Sequence, residues 1–311
     1  MFNIPFRCER SISIQKHISQ VSPVVGNFNT WRIWSPWICM ETDCVHNIEG
    51  YAQEVGHRQD WDGQRIGSGN MVMTHSSDTG YKYDLQFIKP WKSKSTVELQ
   101  LEGHGGETKV TWLMNGGVPF YLFLLKKMMK AWIESDYDRG LKMLKEYIEQ
   151  GSVPTQTKVT GEQSKQGFYY LGIRKSTSLE DMPTEMSKDF GQLTAWVGAS
   201  DLPEPADFVA FYHKYDLVKK RCDFTSALVY EEKPENSKKL IHGKVPDHKV
   251  MQVVHTGPYD HLGNAWSTVM AEQRSKKLKL NKKVPWYERY LNNPEEVEPE
   301  EVQTEINIPI K

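Results

Sequence analysis

Cysteine is scarce in this 311-residue chain: Cys8, Cys39, Cys44 and Cys222 are the only four, irregularly spaced, which excludes a disulfide framework as the source of stability. An excess of one charge is lacking too, since 39 Lys and Arg stand against 40 Asp and Glu for a net charge of -1. No global field draws such a chain onto nucleic acid or an anionic membrane. Long hydrophobic runs are missing. The most apolar stretch, GGVPFYLFLL, runs directly into Lys126 and Lys127, short of the ~18 uncharged residues of a membrane span. The opening MFNIPFRCERSISIQ lacks the charged-then-apolar order of a secretory signal, so a cytoplasmic protein with free thiols is expected.

What is present is length enough for two cores of roughly 150 residues each. Apolar residues at 121, 125, 128, 132, 133, 137, 141, 144 and 148 follow the helical period and predict a helix from Pro119 to about Gln150. Pro119 suits a first helical position and Gly151 a left-handed cap. Upstream, strand-like segments at about 53 to 61, RIGSGNMVMTHS, YKYDLQFI, STVELQLEG and TKVTWLM are separated by Gly-bearing turns. Their alternation predicts an antiparallel meander with one covered face, and the long helix is the obvious cover. Before it, RCERSISIQ reads as another strand, and SQVSPVVGNFNTWRIWSPW as short helical turns broken at Pro23 and Pro36.

Beyond Gly151 a pattern occurs twice at an offset of 78 residues. GFYYLGIRK precedes a helix over 183–197, and KVMQVVHTG precedes a helix from Pro258 with Tyr259, Leu262, Trp266, Val269 and Met270 on one face; two strands follow each helix. The offset aligns Phe208 with Trp286, Ala210 with Glu288 and Tyr212 with Tyr290. The second half is therefore a duplicated strand, helix, strand, strand unit, with an acid where the first copy has Ala210.

Residues 160 to 311, through HTGPYDHLGNAW, PWYERYLNNPEEVEPEE and the closing TEINIPI, closely resemble the GyrI-like domain, also called the AraC-type effector-binding domain. The family often has Asp where this chain has Asn293. Residues 8 to 150 are similar, more diffusely, to the START-like or polyketide-cyclase-like (SRPBCC) superfamily, on the spacing of Trp34, Trp37, Trp61, Gly67, Gly69 and Gly140. The resemblances imply an α+β chain: a helix-grip domain over 1–151, its curved antiparallel sheet around a long C-terminal helix with an apolar cavity between, then a GyrI-like domain over 156–311. The latter's concave sheet face would hold a small molecule around one buried glutamate, which the motif places at Glu288. The START-like half stands where a DNA-reading module would sit, so no direct nucleic-acid partner is expected. Nor is a membrane partner, a cofactor or a metal; a protein partner stays open.

In an extended PWYERY, Trp286, Glu288 and Tyr290 share one face. A carboxylate among indole and phenol rings loses solvation and its pKa rises. It can then hold a cationic aromatic ligand, or act as general base in hydrolysis of a strained electrophile with Tyr290 or Tyr259 assisting. Alternatively it pairs with Arg289 or a lysine on an open face. Trp266 completes the expected ligand set of Glu288, Trp286, Tyr290, Trp266 and Tyr259. Met71, Met73, Trp112, Met114, Met128, Met129 and Trp132 either line the first cavity or fill it. Cys39, Cys44 and His46 miss the usual zinc spacings, and His255 and His261 read as caps or surface residues. The expectation is a bacterial, cytoplasmic small-molecule binder; the alternatives are a hydrolase using Glu288 and a protein-interaction role of the gyrase-inhibitor kind.

Overall fold

Alternation of apolar and polar residues does produce a meander, here a seven-stranded antiparallel sheet in a computed structural model that describes residues 3–200, 202–234 and 240–311. The chain divides into two units, Met1–Val153 and Pro154–Lys311. In the first, β1 (Asn3–Ile14) leads to the short helices α1 (Ile18–Val25) and α2 (Phe28–Trp34). Then come β2 (Val45–Glu49), β3 (Arg58–Gly63), β4 (Gly67–Ser77), β5 (Gly80–Lys89), β6 (Ser93–His104), β7 (Glu107–Pro119) and α3 (Lys126–Gln150). The sheet order is β1-β7-β6-β5-β4-β3-β2, with β1 returning to pair along all of β7.

α3 covers the sheet through Tyr137, Gly140, Leu141 and Leu144, with Met129 and Ile133 packed on the same core. At its centre Trp112 stacks on Tyr137 with ring centroids 4.2 Å apart, and Trp31, Trp34 and Trp37 meet Trp112 edge-on. Each such ring buries roughly 150–250 Å², so this cluster dominates the unit's stability. Gly140 makes the approach feasible, because a Cβ there would stand 2.8 Å from Pro36 and 2.9 Å from the Trp112 ring. Gly151 caps the helix at φ 84°, its N–H donating to the Tyr147 carbonyl.

The helix does not begin at Pro119. Pairing with Asn3 holds Pro119 extended as the last residue of β7, and a 3₁₀ turn over Phe120–Leu125 intervenes before α3. The strand placed at about 53 to 61 begins only at Arg58, as β3; residues 53–57 are a turn, and β3 pairs with the unexpected β2 before it.

The second unit contains β8 (Gln156–Lys165), β9 (Phe168–Ser178), α4 (Met182–Gly198), β10 (Asp207–Asp216) and β11 (Arg221–Tyr230). Next are β12 (Ile241–Val245), β13 (His248–Thr256), α5 (Leu262–Ser275), β14 (Trp286–Tyr290) and β15 (Gln303–Ile310). All eight strands form one sheet, ordered β12-β9-β11-β10-β14-β15-β13-β8. The two copies meet at β10 and β14, where Phe208 pairs with Tyr290, Ala210 with Glu288 and Tyr212 with Trp286. Under the 78-residue offset this register maps onto itself, so a local two-fold axis passes through the Ala210–Glu288 pair. The duplication also exchanges strands: β8 pairs with β13, while β12 pairs with β9. Because β8 lies at one edge and runs within two residues into β9, next to the other, the sheet must curl until its edges approach. One face, with Phe168, Val209, Phe211, Val229 and Tyr287, is accordingly buried with no helix residue among the described residues of its core. The other carries α4, whose Leu193 packs on Leu171 and Leu228, and α5, whose Val269 packs on Val253 and Ile306.

Candidate functional site

Glu288 stands on the helix-covered face, in register with Ala210 on one side and Ile306 on the other. The site therefore lies under the helices and outside the curl of the sheet. The side chain is 2% exposed. Trp266, brought by α5, donates its indole N–H to Glu288 Oε1 at 2.6 Å, and Tyr290 donates its hydroxyl to Oε2 at 2.8 Å. The Tyr212 hydroxyl is a third donor. Burial pushes the carboxyl above its ordinary value, and the three hydrogen bonds pull against that rise without cancelling it. Among the described residues no cation takes part. Arg289, the partner allowed for on an open face, points to the opposite side and pairs with Asp207.

Aromatic rings wall the carboxylate. Trp266 and Trp286 stack with centroids 6.1 Å apart, Tyr212 meets Trp266 edge-on at 5.3 Å, and Tyr259 meets Tyr290 at 5.6 Å. Tyr259, in the 3₁₀ turn before α5, is 39% exposed and forms the outer edge. Its hydroxyl is pushed up to about 12 by burial and by the nearby Glu288 charge. The structure thus brings all five expected residues together, and adds Tyr212, Phe190 and Met186. Phe190 of α4 packs edge-on to Tyr290 at 5.5 Å, and Met186 Sδ lies 3.2 Å from the Tyr290 oxygen. Tyr212 was legible at the 78-residue offset, where it aligns with Tyr290; Phe190 and Met186 arrive from the first copy's helix and left no such signal.

Residues 163–311 match the family described as the GyrI-like small molecule binding domain, and residues 5–149 match polyketide cyclase / dehydrase and lipid transport. The chain is a polyketide-cyclase-like domain followed by a GyrI-like domain. Among solved structures, the EcmrR C-terminal domain is similar at 20% identity over 50% of this chain and 98% of its own, with a TM-score of 0.42. SAV2435 bound to tetraphenylphosphonium is similar at 13% identity, over 48% of this chain and 92% of its own, with a TM-score of 0.39. The Aha1 dimer from Colwellia psychrerythraea is similar at 17% identity over 47% and 98%, with a TM-score of 0.36. No curated protein matches the sequence.

In the polyketide-cyclase-like unit a cavity of about 140 Å³ lies between sheet and α3. Met71, Met114 and Trp112 line it, together with Trp31, Trp61 and Ile133. The Trp112 indole N–H is buried there without a hydrogen-bond partner. Met73 is fully buried in the core and Met129 packs against it, but neither lines the cavity, while Met128 and Trp132 face solvent. The helix phase explains this: 129, 133, 137, 141 and 144 share the inner stripe, and 128 and 132 sit about 100° away. His46 is held by Arg32 and Gln59, and Cys39 by the carbonyls of Arg32 and Ile33. His255 and His261 are buried, not surface residues, because the end of β13 turns directly under the start of α5.

Proposed function

We propose that the GyrI-like unit binds hydrophobic, cationic aromatic small molecules, with Glu288 as counter-ion and Trp266, Trp286, Tyr259 and Tyr290 as the stacking surface. The observation that carries this reading is a buried carboxylate held, among the described residues, by neutral donors alone. Its desolvation is already borne by the folded protein, so an arriving cation gains attraction in a low-dielectric site at little further cost. The rings favour the same ligand through their π faces. Both carboxylate oxygens already accept hydrogen bonds, from Trp266 and Tyr290, which leaves neither open to take a proton from a substrate or water and favours a counter-ion over a general base. Since Glu288 is enclosed while Tyr259 reaches solvent, a ligand gains access by displacing the Tyr259 ring. The four free cysteines suit a cytoplasmic location.

The test is calorimetric titration of tetraphenylphosphonium and of neutral triphenylphosphine oxide. Saturable binding of the cation with much weaker binding of the neutral compound is expected. Equal affinity for the two removes the counter-ion role, and turnover of an epoxide lost on Glu288→Gln would replace binding by hydrolysis.

A further inference from the structure

The end of the first sheet where β7 stops carries two segments used by neither the cavity nor Glu288. The β5–β6 hairpin and the turn after β7 leave this same end side by side, because Phe87 pairs with Ser93 and Ser95 with Gly116. The turn exposes Phe120, Tyr121, Phe123, Leu124 and Leu125, Leu124 to 78%, and the hairpin exposes Ile88 and Trp91. Single exposed apolar side chains are ordinary; seven gathered on one rim are not.

The charges on these segments have one sign. Residues 85–95 contain Lys89, Lys92 and Lys94, residues 115–133 contain Lys126, Lys127 and Lys130, and neither stretch has an Asp or Glu. Among the described residues, the acids that answer these lysines are Asp62 of β3, paired with Lys89, and Glu134, one turn further along α3, paired with Lys130. Beside the turn, an open groove of about 410 Å³ has Arg7, Asn115, Lys126 and Lys130 on its walls, with Arg7 answered by Glu9.

We propose that this rim docks the protein on an anionic phospholipid surface, the aromatic and leucine side chains entering the headgroup region and the lysines lying over the phosphates. Aromatic and leucine side chains beside lysines, with no acid between them, are the composition of an interfacial anchor. Protein interfaces are depleted in lysine, and β7 offers no free strand edge here because β1 and β6 flank it, so a protein partner fits less well. No helix among the described residues is long and apolar enough to cross a membrane, and surface docking needs none. The proposal rests on the first unit alone and does not depend on Glu288.

The experiment is flotation of the full chain with phosphatidylcholine vesicles, with and without phosphatidylserine, over rising salt. Binding only with phosphatidylserine, weakening as salt rises, is expected. Lys126→Gln with Lys127→Gln should lower the partition coefficient about 25-fold, taking ~1 kcal/mol, or about fivefold, for each charge. Leu124→Glu should abolish binding while the melting temperature stays unchanged. No binding to phosphatidylserine vesicles, or binding unaffected by either change, overturns the proposal. So does wild-type self-association in sedimentation velocity that Leu124→Glu abolishes, since a second copy would then own the surface.

Discussion

Replacing Glu288 by Gln removes the site's charge and almost nothing else. The amide can keep its oxygen on the Trp266 N–H and turn its nitrogen to the Tyr290 hydroxyl, which can accept as well as donate. The rings stay in place, so the stacking contribution is retained. What disappears is a charge-assisted contact in a desolvated site, worth about 1.5–3 kcal/mol, or about 10- to 150-fold in affinity for a cation. The neutral isostere should bind both forms alike. Protons supply a second reading of the same group. Burial raises the Glu288 pKa in the free protein, and a bound cation favours the ionised form, so binding releases a proton when the pH lies near that raised value. Affinity should therefore fall as the pH drops through it, and Glu288→Gln should flatten the profile. Titrations in two buffers of different ionisation enthalpy measure the proton release directly. A cation affinity unchanged by Glu288→Gln, with no proton released by the wild type, would refute the argument.

Other consequences follow from the same geometry. Tyr290→Phe deletes one donor to the carboxylate, so the pH midpoint for cation binding should move upward, which the same titrations detect; a midpoint that stays put would deny that hydrogen bond its role. Leu144→Ala in α3 should destabilise the first unit by about 2–5 kcal/mol in urea unfolding, the range for a buried leucine. A residual cavity of about 140 Å³ is close to the size that admits a benzene-like guest, so such a guest should raise the melting temperature of the first unit and leave the second unmoved. Fragments 1–153 and 154–311 should each unfold cooperatively, as tested by calorimetry, because each unit carries its own cores.

The long helix, the meander and the duplicated half were legible because each rests on periodicity over many residues. The start of α3 was not, since Pro119 fits a first helical position as well as a strand end, and only its pairing with Asn3 decides between them. β8 and β12 escaped notice: the former reads QTKVTGEQSK, a polar edge strand with little to bury, and both find their partners far away in sequence. Glu288 with Trp286 and Tyr290 could be read from one pentapeptide, because strand alternation places them together. Met128 and Trp132 were misplaced by a single helical step, which periodicity does not resolve when apolar residues fall on both sides of the boundary. Phe190 and Met186 reach the site across the two-fold axis, and nothing local in the chain announces that meeting.

The exchange of first strands between the two copies makes the GyrI-like unit a covalently tied swapped dimer. Neither copy owns a complete sheet, for β9 is closed by a strand belonging to the second copy and β13 by a strand belonging to the first. Severing the chain between Tyr230 and Ile241 would leave two half-molecules, each with one strand stranded without a partner and half of the Ala210–Glu288 seam exposed. Co-expressed, the halves should find each other and restore one Glu288 cage. Alone, the second half has the means to pair with itself, which would place two glutamates face to face at the axis; Ala210 in the first copy is what spares the intact chain that repulsion.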